Sequence, residues 1–170
     1  MNGYTDLAMT EFRERLQQAT ERGKRAREAQ LSAAAAKALS EEECRRLHSN
    51  YRLSLCDHIE SCLTELTDRF PGFRLETIVD KIGWGTVASR DDVGLASRRS
   101  DNFFSRLQIT VSPYGTYHVL EVVAKGTVRN KEAFSRSHYQ RLDEFDMARF
   151  KELIEGWVIE YAEMFATATG

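Results

Sequence analysis

The chain has 170 residues, with 24 Lys and Arg against 26 Asp and Glu, a formal charge of −2, 42% apolar residues and two prolines. That length fits one domain with room for an appended segment, and a core of this size needs no disulfide or metal staple. The composition excludes collagen-like and wholly disordered chains, and the near-neutral balance excludes a bulk polycation that coats nucleic acid.

The N-terminus, MNGYTDLAMTEFRERLQQ, lacks the basic and apolar regions of an export signal. No apolar run approaches the roughly 20 residues of a membrane span. The three cysteines, Cys44, Cys56 and Cys62, are an odd number without a CxxC pair. Reduced thiols, a cytoplasmic location and no membrane association are predicted.

Residues 5–38 contain no proline and are rich in Ala, Glu, Gln and Arg, all strong helix formers. Met9, Phe12, Leu16 and Ala19 share one face of this helix, and beyond Gly23 the stripe gives way to Arg22, Lys24, Arg25 and Arg27. So short an apolar stripe does not stabilise a helix by itself. Residues 1–38 are therefore predicted to be a helical arm, mobile or partner-dependent, and residues 39–170 a single α+β domain.

Ser40 and Glu43 fit a capping box, which predicts a fresh helix start there. Leu47, Tyr51, Leu55, Ile59 and Leu66 then form a continuous stripe until Phe70 and Pro71 end the helix. The period next changes from 3.6 to 2. Phe73, Leu75, Thr77 and Val79 alternate with Arg74, Glu76, Ile78 and Asp80, the pattern of a half-buried strand. Gly83-Trp84-Gly85 reads as a bend or bulge beside that strand. Residues 89–102, SRDDVGLASRRSDN, are dense in turn formers and read as a loop.

Alternation returns over residues 103–112, Pro113 to Thr116 supply a hairpin connection, and residues 117–128 make a long central strand. Residues 133–139 are a fourth strand candidate. Asp143 is predicted to open the last helix, where Phe150, Leu153, Ile154, Trp157, Tyr161, Met164 and Phe165 recur on one wide face. The predicted class is α+β: an antiparallel meander of three to four strands, two amphipathic helices on one face, and a preceding long helical arm.

Cys44 and His48 are spaced i, i+4, as are His58 and Cys62, and either pair offers two metal ligands. The pairs stand about 15 Å apart along one helix, too far to share an ion. They coincide with the apolar stripe, so they read as buried side chains and no metal or cofactor is expected. No nucleophile elbow, dinucleotide fingerprint or Walker motif occurs, and no catalytic residues are assigned.

Charge is not evenly spread. Residues 102–142 hold six basic and two acidic residues, whereas 143–170 hold two basic and seven acidic. Three functions follow from these patterns. The first is a non-enzymatic protein-interaction module, adaptor-like or chaperone-like and homodimeric, using Met9, Phe12 and Leu16 of the arm. The second is nucleic-acid binding by a basic sheet face with Phe104, Arg106, Arg129 and Arg136. The third is an apolar ligand pocket lined by Trp84, Trp157, Tyr161 and Phe165.

Overall fold

The computed structural model describes residues 3–94 and 101–170. The chain divides into two compact units, residues 1–43 and 44–170. The first helix, α1, is Gly3–Arg69 and runs through that division. The new start predicted at Ser40 is not used. With alanines at 33–36 and no proline before position 71, continuing the helix costs less than ending it and nucleating another.

In the first unit every side chain from 9 to 37 is exposed. Its bonds are local, such as Thr20 Oγ1 donating to the Leu16 carbonyl at 2.9 Å and Lys24 lying 3.5 Å from Glu21.

The second unit adds five strands and a final helix to the rest of α1. The strands are β1 (Arg74–Val79), β2 (Trp84–Gly94), β3 (Asp101–Val111), β4 (Val119–Val128) and β5 (Lys131–Arg141), antiparallel and adjacent in chain order. There are five strands, not three to four. The additional one is β2, which absorbs Trp84-Gly85 and the first part of the expected loop. Ser89 through Val93 pair with Arg106 through Asn102. The backbone ladder to β3, with β1 on the other side as far as Ser89, outweighs the turn-forming composition of this stretch. Its polar side chains are satisfied locally: Arg90 Nε donates to Asp92 at 2.7 Å and Nη1 to the Pro71 carbonyl at 2.8 Å. Residues 95–100 of the expected loop lie outside the described residues.

Two connections follow directly from turn chemistry. Asp80 Oδ1 accepts from the Ile82 and Gly83 amides at 2.8 and 3.2 Å, which closes the β1–β2 hairpin. Arg129 and Asn130 both have positive φ, 48° and 67°, as a two-residue hairpin turn between β4 and β5 requires.

Alternation sorts the sheet into two faces. Leu107, Ile109 and Val111 of β3 and Leu120, Val122 and Ala124 of β4 are buried with Leu55, Ile59, Leu63 and Leu66 of α1. The final helix, α2 (Met147–Thr169), adds Phe150, Ile154, Trp157, Val158, Tyr161 and Phe165 to the same core. It begins later than predicted: Asp143 sits in a short 3-10 turn, and Asp146 caps α2 by accepting from the Arg149 amide at 3.1 Å. Among the described residues, no helix is long and apolar enough to cross a membrane.

Candidate interaction surfaces

In the first unit, Met9, Phe12 and Leu16 are 46%, 56% and 56% exposed. Their spacing of three and four puts them along one line of the helix. They form a row of large apolar side chains with nothing packed on it among the described residues.

In the second unit, the face of the sheet opposite the helices is organised in cross-strand rows. One row runs Arg74, Ser89, Arg106, Thr127; the next runs Glu76, Val87, Gln108, Lys125, Ser135. The third is Ile78, Gly85, Thr110, Val123, Ser137, without a charge. These rows carry Arg74, Arg106 and Lys125 beside Glu76, and Glu132 pairs with Thr127 at the end of the first.

The four residues expected on one basic face are divided. Phe104 and Arg106 stand on the open face, where Arg106 Nη2 donates to Gln108 Oε1 at 2.6 Å. Arg106 Nε is buried without a partner among the described residues. Arg129 leans the other way, its guanidinium 4.0 Å from the Phe103 ring centre. Arg136 pairs in register with core-facing Ala124 and makes an ion pair with Glu160 of α2 at 2.6 Å. Part of the basic sheet block is thus neutralised by the acidic last helix.

The proposed pocket residues are also separated. Tyr161 and Phe165 are fully buried and lie among Phe73, Phe134 and Phe70 with ring centres 5.0–6.5 Å apart. Trp157 is buried in the same core. Trp84 stands apart, under the Arg52 guanidinium at 4.1 Å, beside a cleft of about 220 Å³ that also touches Cys56, Thr77 and Val79. That volume is below the roughly 300–1,000 Å³ of small-molecule sites. A wider, shallow depression on the open face is bounded by Tyr117, Val119, Glu121 and Tyr139. Sequence reasoning passed over it; the outward phase of Tyr139 opposite Glu121 was the available signal.

Of the two histidine and cysteine pairs, His58 and Cys62 are in contact. Cys56 Sγ donates to the Trp84 carbonyl at 3.5 Å, and burial pushes its thiol above the usual range. Burial does the same to Cys62, with Glu155 and Glu65 adding to the effect, which disfavours the thiolate form. Cys62 approaches His58 Nε2 at 3.5 Å, and that nitrogen lies 3.2 Å from Glu155. Among the described residues no cluster of three metal-ligating side chains occurs.

His48 is 2% exposed and its Nε2–H donates to the Ser112 carbonyl at 3.1 Å. Burial holds its pKa below the usual 6.5; the Ser112 bond opposes this and the Arg52 charge reinforces it. The unfolded chain therefore protonates first as pH falls, and the stability contributed by neutral His48 is present above 6.5 and lost below it. The urea midpoint is expected to drop between pH 7.5 and pH 5.5, and His48→Gln to remove part of that drop. An unchanged pH profile in His48→Gln contradicts the assignment.

No protein-family model, curated protein or solved structure matches this chain.

Proposed function

We propose that the chain is a non-enzymatic protein-interaction module that engages its partner through the α1 arm. The observation that carries this reading is the row Met9, Phe12 and Leu16, exposed on a helix whose side chains from 9 to 37 are all exposed. A helix draws most of its stability from packing an apolar face, so this one gains the most by acquiring a partner. The second unit supports the reading in a negative sense, since Phe150, Trp157, Tyr161 and Phe165 fill a core and its open sheet face is mixed in charge. Cytoplasmic residence belongs to the same reading and is supported by three unpaired thiols.

The test is sedimentation of the tagged full chain in fresh lysate of its own cells. The native chain is expected to sediment in a species heavier than its own 19.5 kDa. A Met9→Ser, Phe12→Ser, Leu16→Ser variant is expected to sediment alone, with an unchanged thermal midpoint for the second unit. A native chain that sediments alone, or a variant that stays in the complex, contradicts the proposal.

A further inference from the structure

We infer that the arm's partner is an amphipathic helix whose apolar stripe is bordered by acidic side chains, and not a second copy of this chain; the inference rests on the interaction reading above. If Met9 takes position a of a heptad, Met9, Leu16 and Gly23 fall at a, and Phe12, Ala19 and Ala26 at d. Alternating steps of three and four residues make the narrow seam of a coiled coil. Three large side chains open the seam and three small ones continue it. A β-carbon on Gly23 would touch nothing within 4 Å, so a partner backbone has room to approach closely there. A helix lying on a bilayer uses a wider apolar face than this seam provides.

The borders of the seam over residues 9–28 carry only basic charge, whereas the outer side is mixed, with Glu11 and Arg25 at c and Lys24 at b. Arg13 and Arg27 occupy e positions, and Arg15 and Arg22 occupy g positions. At 100° per residue the e positions lie about 70° and the g positions about 90° from the middle of the seam, on its two borders. Glu14, Glu21 and Glu28 occupy successive f positions on the opposite side. Glu21 is engaged there by Lys24 at 3.5 Å, and among the described residues none of the four border arginines makes an ion pair.

Two copies of this seam set arginine against arginine at the borders, in either the parallel or the antiparallel orientation. The carboxylates cannot relieve this, because they face away from the contact. A partner with Glu or Asp at its own e and g positions converts the same four sites into attractive pairs and excludes basic competitors.

The probes are a four-heptad helical peptide with Leu at every a and d position and Glu at every e and g position, and a twin with Lys in place of Glu. Each is titrated into the native full chain by calorimetry at low salt. The acidic peptide is expected to bind at least about tenfold tighter than its twin, with the difference shrinking at high salt. The quadruple variant Arg13→Glu, Arg15→Glu, Arg22→Glu, Arg27→Glu is expected to reverse the preference, and an equimolar mixture of variant and native chain to associate. Native chain that dimerises alone, or that prefers phosphatidylserine vesicles to the acidic peptide, overturns the inference. Equal binding of both peptides, lost in the triple-serine variant, overturns the charge assignment and leaves the interaction reading standing. Absence of binding by either peptide overturns the inference, and the sedimentation result then decides the broader reading separately.

Discussion

Replacing Gly85 with alanine is expected to destabilise the second unit by at least about 3 kcal/mol, read as a fall in the urea midpoint. Gly85 pairs with Thr110, and a β-carbon placed on it would overlap the Ile109 carbonyl oxygen and the Thr110 backbone. The obstruction is main chain, not a side-chain tip that can swing away. β3 cannot retreat either, because its other edge is bonded to β4 along Arg106 to Val111. Domains of this kind hold only about 5–15 kcal/mol in total, so the loss is a large share of the whole. Gly156 is the control. It sits in α2 with nothing within 4 Å of a built β-carbon, so alanine there is expected to stabilise by about 0.5–1 kcal/mol. A Gly85→Ala midpoint equal to the native one would show that the β3 backbone does not approach Gly85 as closely as described.

Truncating Tyr161 to alanine is expected to cost about 3–5 kcal/mol, the range for a large buried aromatic. The ring is fully buried, lies 6.4 Å from both Phe134 and Phe165, and would be 3.1 Å from a β-carbon on Gly126. Its hydroxyl donates to the Thr127 carbonyl at 2.8 Å, beside the shift in β4–β5 register at Gly126 and Thr127. Tyr161→Phe keeps the ring and removes this bond, at about 1 kcal/mol. Burial drives the phenol far above the usual tyrosine range, with the backbone at Arg106 opposing this. Alkaline difference spectroscopy is therefore expected to show Tyr161 ionising only as the protein unfolds. If Tyr161→Phe proves as damaging as Tyr161→Ala, the hydrogen bond and not the packing of the ring holds this region together.

Where one face of an element is buried, its sequence pattern is easy to read. The recurrence of Phe150, Leu153, Ile154, Trp157, Tyr161, Met164 and Phe165 gave α2 and most of its buried face, Met164 being exposed and Leu153 half-buried, and alternation of Leu107, Ile109 and Val111 gave β3. β2 was hidden because its pairing is done by the main chain. Ser89, Asp91 and Asp92 read as turn formers, and it is pairing with β3, joined at Ser89 by β1, that makes them a strand. The short clue was Thr86-Val87-Ala88, three buried residues between two stretches of turn-like composition.

The expected restart of the helix at Ser40 failed for a related reason. A capping motif competes with helix propagation, and the alanine-rich approach favours propagation. At the surfaces, regional charge sums concealed which face each residue occupies. Arg106 and Arg136 lie on adjacent blocks of the same basic region, yet one faces the open side and the other meets Glu160 across the core side. The helix over this segment was legible, because its composition favours helix and Met9, Phe12 and Leu16 needed no tertiary information to be placed on one line.

Photo-cross-linking in living cells places the binding surface most directly. A photoreactive phenylalanine is introduced at Phe12 on the arm in one variant and at Ser137 on the open sheet face in another. The arm variant is expected to give one discrete adduct with a different protein, and the sheet variant none. Adducts formed from Ser137 alone, or no adduct from Phe12, would contradict binding through the arm.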